Sequence, residues 1–80
     1  MVKAYILINT KPGTSEEVVE QIKSMKEIER ILDADSLYGR FDAVVVVEAR
    51  DLESLSRIVY NIIERNPNVV RTETLISLKG

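Results

Sequence analysis

The sequence predicts a ferredoxin-like α+β domain, with elements in the order βαββαβ and two helices on one face of a four-stranded antiparallel sheet. Two observations lead to this prediction. Residues 4–8 and 43–47 are apolar without interruption, which is typical of strands that are buried on both faces. Two other segments carry apolar side chains at helical spacing, and one follows each apolar strand. In the sheet order 4-1-3-2 of this fold, the two apolar strands are central.

The first strand and the first helix come from VKAYILIN and from the segment after TKPG. Thr14 or Ser15 is the expected N-cap, and Thr14 with Glu17 has the spacing of a capping box. The helix should end between Ser24 and Ile28, where the apolar pattern weakens. Its buried stripe is expected to consist of Val18, Val19, Ile22 and Met25.

The segment ILDADSLY predicts a second strand that ends in a tight turn. Gly39 followed by Arg40 is typical of a two-residue type II′ turn, because glycine accepts the positive φ that this turn requires. The second and third strands should therefore be antiparallel neighbours. One face of the second strand should carry Leu32, Ala34 and Ser36, and the other Asp33, Asp35 and Leu37. The aspartates indicate a solvated edge rather than a metal site, since two carboxylates are too few for a hard cation.

The second helix should begin after Asp51, a good N-cap, and end before the NPN segment at residues 66–68. Its apolar stripe is expected to be Leu52, Leu55, Ile58 or Val59, Ile62 and Ile63. The segment VVRTETLISL alternates in polarity and predicts the last strand. Residues 1–80 are therefore expected to form a single domain.

Composition limits the chemistry that the chain can perform. The chain has no cysteine and no histidine, so it lacks a thiolate nucleophile, the commonest general base and the commonest metal ligand. A net charge of −2 argues against a nucleic-acid surface. No apolar run approaches the roughly 20 residues of a membrane helix, and no signal peptide is visible. We therefore expect a cytoplasmic protein that needs neither a cofactor nor a metal.

The apolar central strands predict self-association. In a monomer of this fold one sheet face is uncovered, yet residues 44–47 are all valine. Burial of each valine or isoleucine side chain stabilises by about 1.5–3 kcal/mol, a large share of the ~5–10 kcal/mol expected for a small domain. We infer a sheet-to-sheet homodimer. A monomer with a valine-rich bare sheet is the weaker alternative.

Four polar residues are candidates for binding. Asp42 follows the turn, where its carboxylate is expected either to accept backbone N–H bonds or to face a ligand at a subunit edge. Arg40 is either a solvated turn residue or a bidentate partner for a carboxylate. Thr72 and Thr74 share one strand face, although threonine is also simply common in strands.

These motifs, taken together, resemble a known family. GRFD at residues 39–42 is similar to a Gly-x-Tyr/Phe-Asp turn, and TET at residues 72–74 to a Thr-x-Thr strand segment. DL at residues 51–52 is similar to an Asp-Leu/Met helix start, and NPNV to a Pro-Gly-Val turn, with Asn68 where glycine is usual. In this order they resemble the effector-binding (RAM) domain of the Lrp/AsnC transcriptional regulators, over essentially the whole chain.

The resemblance implies a sheet-to-sheet dimer, rings of dimers of octamer or decamer size, and an amino acid or related effector bound where dimers meet. By position, the ligand-binding residues would be Gly39, Arg40, Asp42, Leu52, Thr72, Thr74 and Ile76. Family members usually carry a helix-turn-helix domain, whereas Met1 here begins at the first strand. The resemblance therefore implies a stand-alone domain that modulates full-length regulators and does not bind DNA itself.

Two other classes of function compete with an effector-binding domain. One is a small enzyme on the same fold, such as a cofactor-free monooxygenase or an acylphosphatase-like hydrolase, which the missing acid–base groups disfavour. The other is a purely structural oligomerisation module with an empty cleft. The sequence favours the effector-binding domain, which is not an enzyme.

Overall fold

The computed structural model describes residues 1–79 and contains four strands and two helices. The strands are β1 (Val2–Thr10), β2 (Ile31–Ser36), β3 (Ala43–Ala49) and β4 (Val69–Ile76). The helices are α1 (Ser15–Lys23) and α2 (Leu52–Arg57), and α2 continues directly as a π-helical segment, Ile58–Ile63. The sheet order is β2-β3-β1-β4 with all neighbours antiparallel. The predicted fold and the central position of β1 and β3 are confirmed.

Helix α1 buries three of the four predicted stripe residues, whereas Met25 lies after the helix and is only partly buried. The N-terminus of the helix also differs from the prediction. Val18, Val19 and Ile22 are buried. Thr14 stands at the N-cap position, yet its hydroxyl donates to the carbonyl of Lys11 at 2.7 Å and makes no cap bond. The predicted capping box is therefore wrong, because the hydroxyl closes the preceding turn instead. The helix ends at Lys23, just before the expected range.

Strand β2 contains a bulge that changes which side chains reach the core. Ile31 pairs with Val47, but Asp33 already pairs with Val46, so Leu32 is an extra residue. Such a bulge shifts the alternation of side chains by one position. Ile31 packs against the core, whereas Leu32 is 40% exposed. The prediction that Leu32 shares a face with Ala34 is therefore wrong, because Ala34 is buried and Leu32 is not.

Helix α2 begins as predicted and then widens. The side chain of Asp51 accepts a hydrogen bond from the backbone N–H of Ser54 at 2.8 Å, which is an ordinary N-cap. From Ile58 the backbone is π-helical, and the Glu64 N–H donates to the Val59 carbonyl five residues earlier. The buried side chains of the two segments are Leu55, Ile58, Val59 and Ile63. Neither helix in residues 1–79 is long and apolar enough to span a membrane.

The two faces of the sheet differ in what covers them. Alternate residues of β1 and β3 point towards the helices and form the core with them, and they include Ile6, Ile8, Val45 and Val47, each fully buried. The opposite side carries a row of neighbours across three strands, in which Val46 and Leu75 flank Tyr5. The open sheet face is the surface formed by Tyr5, Leu7, Val44, Val46 and Leu75. In this chain Tyr5 is 38% and Leu75 is 47% exposed.

Candidate functional site

The turn between β2 and β3 is wider than a two-residue hairpin. The N–H of Leu37 donates to the carbonyl of Asp42 at 2.8 Å, which leaves four residues, 38–41, in the loop. Gly39 has φ +147°, a value that a side chain disfavours, and not the φ of a type II′ turn. The predicted turn type is wrong, but the antiparallel pairing of β2 and β3 is confirmed.

Hydrogen bonds to β1 explain why the turn is wider. The carboxylate of Asp42 accepts a hydrogen bond from the backbone N–H of Thr10 at 2.8 Å, and the Asp42 N–H donates to the carbonyl of Ile8 at 2.9 Å. The side-chain amide of Asn9 donates to the carbonyl of Arg40 at 3.3 Å. The turn is thus fastened to the end of β1, a neighbouring strand, rather than closed on itself. Of the two roles expected for Asp42, the contacts within this chain fit the backbone-binding one.

The candidates on β4 lie on the helix-facing side of that edge strand. Thr72 and Thr74 pair with Ile8 and Ile6, both of which point into the core, so the two threonines share a face as predicted. The hydroxyl of Thr72 is already engaged, because it donates to Glu64 Oε2 at 2.6 Å. Thr72 therefore connects β4 to the end of the helical layer.

A small cleft lies between α2 and β4. Its volume is about 250 Å³. Three of the predicted residues, Leu52, Thr74 and Ile76, line it together. Sequence reasoning missed two further polar lining residues, Ser56 and Tyr60. Their spacing of four from Leu52 and from each other puts all three on one helix face, and that spacing could have revealed them.

The turn and the cleft are separate within one chain. Strand β1 lies between β3 and β4, and the turn is bound to Thr10 at one end of β1. Thr74 and Ile76 pair with Ile6 and Ala4, four and six residues before Thr10 on β1, which corresponds to about 14 and 20 Å at ~3.4 Å per residue. Six of the seven predicted residues therefore form two groups, three at the turn and three in the cleft, and Thr72 does not line the cleft.

The ionisable groups near the turn and the cleft include one carboxylate with a lowered pKa and one exposed guanidinium. In the described range, 1–79, no group of three or more acidic residues could hold a metal ion. A backbone hydrogen bond from Ser54 is the main reason that the pKa of Asp51 lies below its ordinary value, as expected for an N-cap. Arg40 is exposed, so its guanidinium is available to solvent and to a ligand.

A family model and solved structures match nearly the whole of this chain. The family model of the Lrp/AsnC ligand binding domain matches residues 3–80. FFRP-DM1 shares 32% identity and a TM-score of 0.87, covering 98% of this chain and 100% of that chain. The hypothetical protein PHS023 from Pyrococcus horikoshii shares 32% identity and a TM-score of 0.86, covering 98% and 90%.

A more distant structure shares the fold alone. The feast or famine regulatory protein Rv3291c from M. tuberculosis, complexed with L-methionine, is 22% identical with a TM-score of 0.71. The match covers 98% of this chain and 50% of that one. No curated protein matches the sequence.

Proposed function

Because the chain belongs to the family of Lrp/AsnC ligand-binding domains, we propose that it binds an amino acid or a related small metabolite at an interface between copies of itself. The observation that carries this proposal is the family match over residues 3–80. The presence of L-methionine in the M. tuberculosis neighbour supports amino acids as the ligand class.

The open sheet face supports assembly through a second copy of the chain. Val46 is only 9% exposed, but Tyr5 and Leu75 in the same row leave apolar surface in solvent. Asp33 and Asp35, which pair with Val46 and Val44, lie at the edge of this surface. Apolar surface removed from water stabilises by roughly 25 cal/mol per Å². We propose that two copies cover this face mutually and form the sheet-to-sheet dimer, and that dimers join into rings.

The ligand site is proposed to combine two protomers. In a single chain the turn is bound to Thr10, whereas Thr74 and Ile76 of the cleft pair with Ile6 and Ala4, about 14 and 20 Å further along β1 at ~3.4 Å per residue. We therefore do not expect one small molecule to contact both groups within one chain. In a ring, the turn of one protomer would close the cleft of another. This arrangement would bring Gly39, Arg40, Leu52, Thr74 and Ile76 to the ligand. Asp42 and Thr72 would not contact it, because their polar groups are already bound within the chain.

The proposed roles follow from the chemistry of each group. Arg40 would bind the ligand carboxylate through its planar guanidinium, and the hydroxyl of Thr74 would accept or donate a hydrogen bond. Leu52 and Ile76 would contact the ligand side chain. Gly39 would permit close approach, since nothing lies within 4 Å of a Cβ placed there. Asp42 would be a positioning residue that holds the turn, consistent with its bond to Thr10.

The proposed mechanism is thermodynamic linkage between ligand and assembly. A ligand that spans two protomers stabilises the assembly in which its site is complete, and by no more than its difference in affinity between the assemblies. The net charge of −2 favours action through full-length relatives rather than on DNA directly. We propose that the domain modulates such regulators by joining or competing with their effector-binding domains.

A thermal-shift panel of the common amino acids tests the proposal. At ~100 times its dissociation constant a ligand should add about 2.7 kcal/mol to the free energy of unfolding. We expect one or a few amino acids to raise the Tm. Thr74→Val should reduce that rise, whereas Thr14→Val, which removes a hydroxyl far from the cleft, should not. A flat response to every amino acid would contradict the proposal.

A further inference from the structure

A second and larger cleft lies at the opposite end of β3 from the turn. Its volume is about 430 Å³, within the ordinary range of small-molecule sites. It is formed by the α1–β2 connection, the end of β3 and the helical layer after it. Ala43 and Ala49, the ends of β3, are six residues apart, so about 20 Å of strand at ~3.4 Å per residue separates this cleft from the turn. None of the seven predicted residues lines it.

The apolar part of the cleft comes from the sheet and from the π-helical segment. Ala49 and Ile58 are buried, with 3% and 6% exposure, and Ile62 is partly buried against the core. Ile62 and the polar Asn61 both belong to the π-helical segment. π-Helical turns are rare and occur frequently at functional sites. The cleft is therefore built on an irregular stretch of an otherwise simple fold.

Two of the charged groups that line the cleft are neutralised within the chain. Glu48 pairs with Arg30 at 3.1 Å, and Arg57 pairs with Glu53 at 3.6 Å. These pairs occupy one carboxylate and one guanidinium of the cleft wall. A charged ligand would therefore pair with the ionic residues of the cleft that have no ion-pair partner in the described part of the chain.

The remaining ionic residues are Glu27, Glu29 and Arg50. Each is exposed, and within residues 1–79 none has an ion-pair partner within the 4.0 Å that defines a salt bridge. The N–H of Glu48 donates to the carbonyl of Arg30 at 3.0 Å, which holds the end of β3 beside the α1–β2 connection. The cleft thus presents two carboxylates and one guanidinium around an apolar floor.

We propose that this cleft binds a basic amino acid of the lysine or arginine type. Such a ligand carries two cations and one carboxylate, which complement the charges of Glu27, Glu29 and Arg50. The α-carboxylate would pair with the Arg50 guanidinium, and the two cationic groups with the glutamates. Its methylene stem would lie over Ile58 and Ile62, as the stems of long charged side chains do on apolar surfaces.

This site is independent of the interface site. It lies within one protomer, and its ligand is selected by the number and sign of its charges. The position of the bound ligand distinguishes the two sites. Failure of amino acids to bind at the interface would therefore not contradict the present proposal. Occupancy of both sites would let one domain respond to two metabolites.

Titration of ¹⁵N-labelled protein with L-lysine, followed by NMR, tests the proposal by location. We expect the amide signals of Ala49, Arg50 and Asn61 to move. Two analogues isolate the ligand charges: L-norleucine lacks the distal cation, and cadaverine lacks the carboxylate. Both should bind at least about tenfold more weakly than L-lysine, a difference of about 1.4 kcal/mol. Equal binding of L-norleucine, or no movement at these amides, would overturn the proposal.

Variants that each remove one charge identify which side chain pairs with which charged group of the ligand. Arg50→Gln should weaken L-lysine binding to the level of cadaverine and leave cadaverine unchanged, whereas Glu29→Gln should weaken both. Arg71→Gln, which alters an exposed arginine on β4 that lines neither cleft, is the matched control and should change neither. The NMR spectrum of each variant reports whether it is folded. Unchanged L-lysine affinity in folded Arg50→Gln would contradict the proposed orientation and the site.

Discussion

The carboxylate of Asp42 accepts a hydrogen bond from the backbone N–H of Thr10 at 2.8 Å, across 32 residues of sequence. This bond fastens the β2–β3 turn to the end of β1. The turn is thereby held by the core strand of the sheet and not by its own residues alone. A turn fixed in this way would offer a defined surface to a neighbouring subunit in the proposed ring.

Removal of the Asp42 carboxylate should destabilise the fold. In Asp42→Ala the partly buried N–H of Thr10 loses its acceptor, and an unsatisfied donor costs about 1–3 kcal/mol. Urea unfolding measures the loss. Glu16→Ala, which removes an exposed carboxylate, is the control and should change the free energy of unfolding by only about 0.5 kcal/mol. Equal losses in the two variants would show that the Asp42–Thr10 bond contributes little.

Substitution of Gly39 should strain the turn. Its φ of +147° is rarely adopted by L residues although there is space for a Cβ, so Gly39→Ala should cost about 1–3 kcal/mol through backbone strain alone. Chemical denaturation provides the measurement, and Arg40→Ala provides a control one residue away. If Gly39→Ala were as stable as the parent chain, the turn would have to adopt another conformation.

The N-cap of α2 predicts a pH dependence. The hydrogen bond from Ser54 holds the pKa of Asp51 below its ordinary value of 3.8. A lowered folded-state pKa means that the stabilisation is present above pH 3.8 and is lost as pH falls through the folded-state value. The Tm advantage over Asp51→Asn, which caps without titrating, should therefore shrink in acid. A constant Tm difference across this range would contradict the prediction.

The open sheet face predicts a variant that dissociates the proposed dimer. Val46→Asp would place a charge in the proposed interface and should raise the dissociation constant roughly a hundredfold or more. Val70→Asp is the matched control, because Val70 is 62% exposed and is not part of the open sheet face. Sedimentation velocity should show smaller species only for Val46→Asp. If both variants sediment like the parent chain, the open sheet face is not the interface.

The periodicities of the chain were sufficient to predict its architecture. Strands apolar on both faces and helical stripes such as Val18–Val19–Ile22 are local patterns, and their order specifies the fold. The wrong predictions concern features that depend on contacts between residues far apart in sequence. Leu32 is displaced by a bulge that depends on pairing with β3, and the wide turn depends on bonds between Asp42 and β1. Neither partner is adjacent in sequence.

The candidate site was predicted only in part for a similar reason. Leu52, Thr74 and Ile76 do share one cleft, but Ser56 and Tyr60 complete it from the polar side of α2. A search for the buried stripe of a helix disregards that side. The larger cleft was not predicted at all, because the α1–β2 connection, the end of β3 and the helical residues that line it are close together only in the folded chain.

Sedimentation velocity with and without the amino acid that most raises the Tm is the decisive test of a ligand site shared between protomers. We expect this ligand to shift the population between dimers and larger rings, because it would complete a site formed by two protomers. A ligand that raises the Tm but leaves the distribution of species unchanged at every protein concentration would contradict it.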